Sequence, residues 1–304
     1  MLPTQASGRW STTNPPKVNF PDDKKAEEYD LPELQSVFMP DPGYWWLGWD
    51  HDAIEARLGT AYCGDKLDLE SFANGWDIHT LTACDLFTLP LPPSKLEQDI
   101  HSKSPTPTMA AWQAQVKWGG KGDRRRHLAK TARYALTYGE DEKACTTAKG
   151  VEKLGLSKQE LLDAGRRFLR AKAKTLVIWK KITWAECIRT KMARTFLGRR
   201  RMLFGPDHHV KKEGLNHMIQ GAVADVMNAN LISLLGPGGM LEQWGTLELN
   251  AHDGARIALP VSIDLGILPY VRAIVEREWD VQGNRMRFPA TFYWIDDQGV
   301  KAGL

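Results

Sequence analysis

The sequence predicts an α+β fold with a helical middle, and three observations carry that prediction. The short, very apolar segment "YWWLGWD", residues 44–50, reads as a buried strand. Long central stretches space their apolar residues as helices do. The last third alternates strand-like runs about an Asp-Gly turn in "TLELNAHDGARIALP", residues 246–260.

Taken in order, residues 1–43 are rich in Pro, Ser, Thr and Asp and read as an extended arm leading into the first strand. "HDAIEARLGTAYCG" then looks helical, and further helices are predicted at 77–87, 123–138, 141–154 and 157–188. Ser157 and Glu160, three apart, are placed as a capping box for the last of these. Residues 89–122 have the Pro, Ser, Lys and Gly content of an exposed excursion, with a helical turn or two near "MAAWQAQV". "RTFLGRRRMLF" predicts two short strands about a Gly turn, followed by a helix from about 213 to 235. After the 246–260 hairpin come a helix in "PYVRAIVEREW" and a strand in "RFPATFYWI".

A chain of 304 residues can bury a substantial core as one large or two modest domains. Its 40 basic and 37 acidic residues nearly cancel, so only local clusters can point to a polyanionic partner. Such clusters stand at Arg124 to Arg126, Arg199 to Arg201, and Lys211 with Lys212. Cys63, Cys84, Cys145 and Cys187 stand far apart, with no CxxC pair and no zinc-ligand spacing, so reduced thiols are expected. No apolar run approaches the ~20 residues that span a bilayer, and "MLPTQASGRW" lacks a signal-peptide core. The expectation is a cytoplasmic protein, in the host cytoplasm if it is viral, with no membrane partner.

Asp50 ends the apolar segment, where a carboxylate is costly unless paired or metal-bound. Asp253 lies at the predicted hairpin tip. Two such residues at the ends of adjacent strands suit a pair of divalent ions for in-line phosphoryl displacement, although singly each also reads as a cap or turn former. Arg126, Lys130, Tyr134 and Tyr138 recur every fourth residue and form a slanting stripe on one helix. The two cations suit a triphosphate and the rings a base or sugar; a solvated basic face over buried Tyr gives the same spacing.

Six segments in order resemble the family A DNA polymerases, the DNA polymerase I family. "WDHDAIEARL" with "DIHTLTACDLF" is similar to motif A, DYSQIELR followed by DIHT; "RHLAKTARYALTYG" is similar to motif B, RxxxKxxxFGxxYG. "NHMIQGAVADVM" resembles NxPxQGTAADI, and "LNAHDGARI" resembles motif C, VHDE. "TQASGRWSTTNPP" matches the TGRLSSxxPNLQ segment that opens the palm, and "TFLGRRRML" matches TxxGRRRxLP.

The resemblance implies a right-hand polymerase palm, a small antiparallel sheet with helices, in residues 1–66 and 196–304. Mainly helical fingers would occupy 67–195, with the motif B helix at 123–138 and an insertion at 89–122. It implies a DNA-templated DNA polymerase using dNTPs and two Mg²⁺, or Mn²⁺, held by Asp50 and Asp253 with the backbone carbonyl of His51. Arg126, Lys130 and His79 would hold the triphosphate, with Lys130 counted among the catalytic groups. Tyr134 would stack near the nascent base pair, and Glu55 would be a steric gate braced by Tyr138. Arg9, Asn216 and Gln220 would touch the minor-groove side of the primer-template. Arg199, Arg200 and His252 would contact DNA near the site.

Four departures qualify it. Gly254 replaces the usual motif C Glu, which touches fine tuning of the metal site. Tyr134, where many bacterial members have Phe, predicts ready use of dideoxynucleotides, and Tyr134→Phe should discriminate better against them. The 89–122 stretch is longer than in the bacterial enzymes. The chain opens at the palm, so a thumb and exonuclease are expected on a separate subunit of a split viral enzyme, or to have been truncated, with weak DNA binding meanwhile. A non-catalytic DNA-binding scaffold and a single-subunit RNA polymerase are the alternatives.

Overall fold

The computed structural model describes residues 39–139, 141–147 and 151–304. Most of the predicted arm, and with it Arg9, lies outside the described residues.

Strand β1, Tyr44–His51, is the middle of a five-stranded sheet in the order β4-β5-β1-β8-β9. Its neighbours are β4 (Thr246–Ala251), β5 (Gly254–Pro260), β8 (Ala290–Ile295) and β9 (Lys301–Gly303), and every pairing is antiparallel. Successive side chains alternate across a strand, so Trp45, Leu47 and Trp49 go to one face and Trp46, Gly48 and Asp50 to the other. The first set joins the main core, with Leu47 and Trp49 fully buried. On the second face Tyr293 lies across Gly48, where a Cβ would stand 2.3 Å from its ring. Only glycine permits that approach.

Helices α1 (Ile54–Cys63), α3 (Ile78–Phe87) and α6 (Arg124–Tyr138) fall where periodicity predicts. Asp77 and Asp123 cap the last two, each accepting from backbone N–H groups. Helix α6 stops at Gly139, where a Cβ would meet Ala144 at 2.4 Å. The capping box of Ser157 and Glu160 is present, but it opens only α8, Lys158–Ala171; α9 follows at Leu176–Thr190. The predicted single helix is broken because Lys172 and Thr175 both turn to Asp65, at 2.9 and 2.8 Å. Tertiary capping outbids continuation of the helix.

Other expectations change too. Residues 66–73 form a helix, α2, that periodicity did not single out, capped by Asp65. The predicted helix 141–154 reduces to a short α7 at Ala144–Thr147 and a 3₁₀ turn at Val151–Leu154. The 89–122 stretch is folded: it holds α4 (Glu97–Ile100) and α5 (Pro107–Val116), and Ile100, Met109, Trp112 and Val116 pack with Cys84 in an apolar cluster of their own. Trp112 donates its indole N–H to the Pro90 carbonyl at 2.9 Å.

The two short strands about Gly198 are β2 (Met192–Arg194) and β3 (Arg200–Met202). The following helix begins earlier than predicted, running as α10 (Asp207–Asn216), a π turn (His217–Gly221) and α11 (Ala222–Leu235). Contrary to expectation, this 29-residue run is long and apolar enough to cross a membrane. Its apolar stretch is 61% buried inside the protein, and Val223, Val226 and Leu234 lie in the main core. The last predicted helix ends at Val275 (α12, Leu268–Val275), and the hairpin of β6 (Glu278–Val281) and β7 (Asn284–Arg287) follows. The architecture is α+β: a small antiparallel sheet with helices, and a largely helical section between β1 and β2.

Candidate active site

Asp50 is the penultimate residue of β1, and Asp253 stands in the two-residue turn between β4 and β5. That turn is His252–Asp253, one position earlier than the Asp-Gly pair predicts, because Gly254 already pairs with Ala251. His252 takes the left-handed φ of 56°, and its neighbour's carbonyl accepts the His51 backbone N–H at 2.9 Å. The bond ties the hairpin tip to the end of β1. The two carboxyls are thereby close enough for the Asp253 charge to act on Asp50.

Asp50 is open to the cleft as a residue, yet its carboxyl is partly desolvated and faces the charges of Asp253 and Asp52. Desolvation first, and those like charges second, push it up to about 7. Neither aspartate has a salt-bridge partner among the described residues. The His51 ring turns the other way, donating from Nδ1 to the Phe288 carbonyl at 2.8 Å, which leaves Nε2 for the Asn230 amide at 3.4 Å. Burial pushes its pKa down. The ring is buried and held by bonds within the fold.

Opposite the carboxylates, α6 presents Lys130 and Tyr134. With Asp50, His51, Glu55, His79 and Asp253 they line a cleft of about 420 Å³. Lys130 is exposed and has no ion-pair partner among the described residues. His79 is buried beside Tyr134, ring centres 6.3 Å apart; burial, then the Arg133 charge, lowers its pKa to about 3, and its Nδ1 has no hydrogen-bond partner. Tyr138 lies one turn on and donates its hydroxyl to Glu55 at 2.5 Å. Burial, then the Glu55 charge, raises the Tyr134 phenol to about 12.

Arg126 does not line this cleft. Its guanidinium is bidentate to Asp77, at 2.8 and 3.2 Å, and its side chain is only 12% exposed. Asp77 is a residue that sequence reasoning missed. Its position before an apolar helix marks a cap, but nothing in spacing foretells a partner 49 residues away. Asp52, another cleft-lining carboxylate beside Asp50, was also passed over.

The predicted basic clusters are largely engaged within the fold. Arg125 bonds Asp123 and the carbonyls of Val116 and Lys117. Arg199 pairs with Asp225 and the Gly221 carbonyl, Arg201 pairs with Glu213, and Lys211 lies over the Trp184 ring. Cations beside a packed core recruit nearby acceptors, since a partly desolvated charge without them is costly. Arg200, Lys212 and His252 are exposed, while Asn216 and Gln220 are half-buried on either side of the π turn's start.

Among the described residues no group of three or more His, Cys, Asp or Glu is disposed to hold a metal. Two acidic oxygen donors at an open cleft remain, which suits a hard cation that completes its shell with water and phosphate oxygens. The mutual repulsion that raises Asp50 is what a divalent cation would relieve.

Comparison with known proteins agrees with this architecture. No family model matches the sequence. DNA polymerase I of Pseudomonas aeruginosa is 25% identical over 238 residues, covering 75% of this chain and 22% of that protein. The thermostable DNA polymerase I of Thermus thermophilus is 22% identical over 285 residues, covering 91% of this chain and 30% of that protein. The chain thus spans between a fifth and a third of the length of these relatives. Among solved structures, the POL domain of Pol1 from M. smegmatis, in complex with DNA primer-template and dNTP, superposes with a TM-score of 0.71 at 19% identity, over 95% of this chain and 46% of that one. The chain carries the fold of a family A polymerase domain and resembles DNA polymerase I over most of its length.

Proposed function

We propose that this chain is the palm-and-fingers portion of a DNA-templated DNA polymerase that adds dNTPs to a primer 3′-hydroxyl. The observation that carries the reading is one cleft in which two carboxylates, from the end of β1 and the β4–β5 turn, stand opposite a tyrosine and a lysine from a helix, the lysine having no ion-pair partner among the described residues. The relatives' names and the DNA and dNTP in the similar structure support the same partners here.

Asp50, Asp253 and the His51 backbone would hold two Mg²⁺, or Mn²⁺, which when bound supply charge stabilisation to the attacking and leaving oxygens. The chain's own residues do the rest. Lys130 neutralises the triphosphate, whose α-phosphorus takes the primer oxygen while pyrophosphate departs. Neutral His79, with an unpartnered Nδ1, can accept or donate one hydrogen bond at the phosphates without bringing a second charge. Tyr134 gives the nucleotide a half-buried face to stack on. Glu55, pinned by Tyr138, closes the side of the pocket near the sugar, which favours dNTPs over rNTPs. Most of the rate enhancement is positioning and charge stabilisation.

Arg200, Asn216, Gln220 and His252 are the described candidates for contact with DNA, and Arg199 joins them only if it loosens from Asp225. The reading includes a thumb supplied from elsewhere, on the same or another polypeptide. Supplying one in trans should lengthen the products.

Primer extension with dNTPs and Mg²⁺ is the test, beside Asp253→Ala. Metal-dependent extension lost in the variant is the expected result. DNA binding without extension under any metal would leave a scaffold, and a preference for rNTPs would transfer the reading to RNA synthesis.

A further inference from the structure

Asp77 is where three segments meet. Its carboxyl caps α3, accepting the backbone N–H groups of His79 and Thr80 and, at 2.6 Å, the Thr80 hydroxyl. Arg126 reaches it from α6. The third contact comes from the 89–122 excursion, whose His101 places Nε2 2.5 Å from Asp77 Oδ2. The Asp77 side chain is 1% exposed and that of His101 is 6% exposed. A second excursion residue, Glu97, stands 3.7 Å from Arg126 Nη2 and is held by Lys121 at 3.0 Å.

The excursion is built to hold these contacts. Ile100, immediately before His101, is fully buried in the excursion's apolar cluster, and its carbonyl accepts the Gln113 amide at 3.0 Å. Arg126 meanwhile lies one helical turn, about 6 Å of rise, from Lys130 in the cleft. A guanidinium on that turn is within reach of phosphates bound at Lys130, yet in this structure two carboxylates occupy it.

We propose that the 89–122 excursion sets the chain's affinity for nucleoside triphosphate through Arg126. His101 keeps Asp77 satisfied when Arg126 turns to the phosphates, and Glu97 competes with those phosphates for the same guanidinium. The proposal rests on the dNTP site argued above. A buried carboxylate that gives up a donor is penalised unless others remain. With Arg126 gone, Asp77 keeps four donors: His101, the Thr80 hydroxyl and two backbone N–H groups. Without His101 it keeps three, and Arg126 becomes the donor it can least release. His101 is therefore a positioning residue, acting on nucleotide through Asp77 and Arg126.

The experiment is calorimetric titration of dATP with Mg²⁺ into the full chain, with kcat and KM for dATP from primer extension. His101→Ala is expected to raise Kd and KM about tenfold while kcat stays within about twofold. His101→Gln, which keeps a donor, should recover most of the affinity. Glu97→Gln should lower Kd by about two- to threefold, an exposed contact being weak. Unchanged nucleotide affinity in His101→Ala overturns the proposal, as does an unchanged or higher Kd in Glu97→Gln. Because Glu97 is half-exposed, its variant still decides if His101→Ala does not fold. Lys130→Ala is the reference: if it too binds dATP normally, the nucleotide site itself is wrong, whereas loss of binding there beside unaffected excursion variants sinks only the role of the excursion.

Discussion

On the sheet wall of the cleft, Asp50 and Asp253 face each other without a salt-bridge partner among the described residues, and Asp50 is driven up to about 7. On the helical side, behind Lys130, charge is matched at short range. Arg126 is paired with Asp77, and Arg133 bonds Asp68 at 2.7 Å and Thr82 at 3.0 Å, with Lys172 adding a second cation to Asp68 at 2.8 Å. Burial would raise both carboxyls, yet Arg133 and Lys172 hold Asp68, and His101, Arg126 and Thr80 hold Asp77, below the ordinary carboxylate range. Unrelieved repulsion is a cost to the fold, tolerated where a cation from solution can remove it. Paired charge on the helical side stabilises the scaffold that holds Lys130 and Tyr134 in place.

The sharpest way to break this contrast is Asp253→Ala. It should reduce primer extension by about 10³-fold without destabilising the fold, since it removes charge stabilisation from the reaction, no salt bridge from the fold, and one of the like charges that face Asp50. The converse is Arg133→Met, which leaves Asp68 buried with only Lys172. Urea unfolding should show a loss of about 3 kcal/mol.

Tyr138→Phe cuts the tie to Glu55. About 1 kcal/mol of stability should go with it, and the ratio of rNTP to dNTP incorporation should rise; an unchanged ratio would separate Glu55 from sugar selection.

The metal-free protein offers a further test through its melting. Asp50 is raised from 3.8 to about 7, so its ionisation opposes folding, and the penalty grows as pH rises from about 4 and is complete above about 7. Asp50→Asn should therefore melt above the wild type at pH 8 and converge with it near pH 4. Added Mg²⁺ should raise the wild-type midpoint at pH 8 and leave the variant unmoved. An identical pair of curves across this range would remove the claim of unrelieved repulsion.

Much of the site was legible in the residues. The four-residue spacing of Lys130, Tyr134 and Tyr138 puts them along one helix edge, and the apolar run before Asp50 marks a strand that carries this carboxylate near its end. Arg126 shares that spacing and still turned away from the cleft. In the 89–122 excursion the helical turns expected near "MAAWQAQV" are present as α5, with Met109, Trp112 and Val116 at the i, i+3, i+7 spacing of one helix face; what Pro, Ser and Gly content does not register is that this face packs with Ile100 and Cys84 into a core of its own. Helix continuity from 157 to 188 was overestimated for a like reason: nothing local says that Lys172 and Thr175 are wanted by Asp65, more than a hundred residues earlier.

By itself the sequence determined the α+β class, the strand carrying Asp50, the hairpin carrying Asp253, and the helix bearing Lys130 and the two tyrosines. Each follows from periodicity and capping, which act over a few residues and survive in the linear order. Only the tertiary structure decided which cations stand free and which are spent on the fold, and that Tyr293 requires Gly48 beneath it. Those outcomes depend on which distant carboxylate, carbonyl or ring the closed chain brings within about 3 Å, and at that range burial decides whether a charge can stay unpaired.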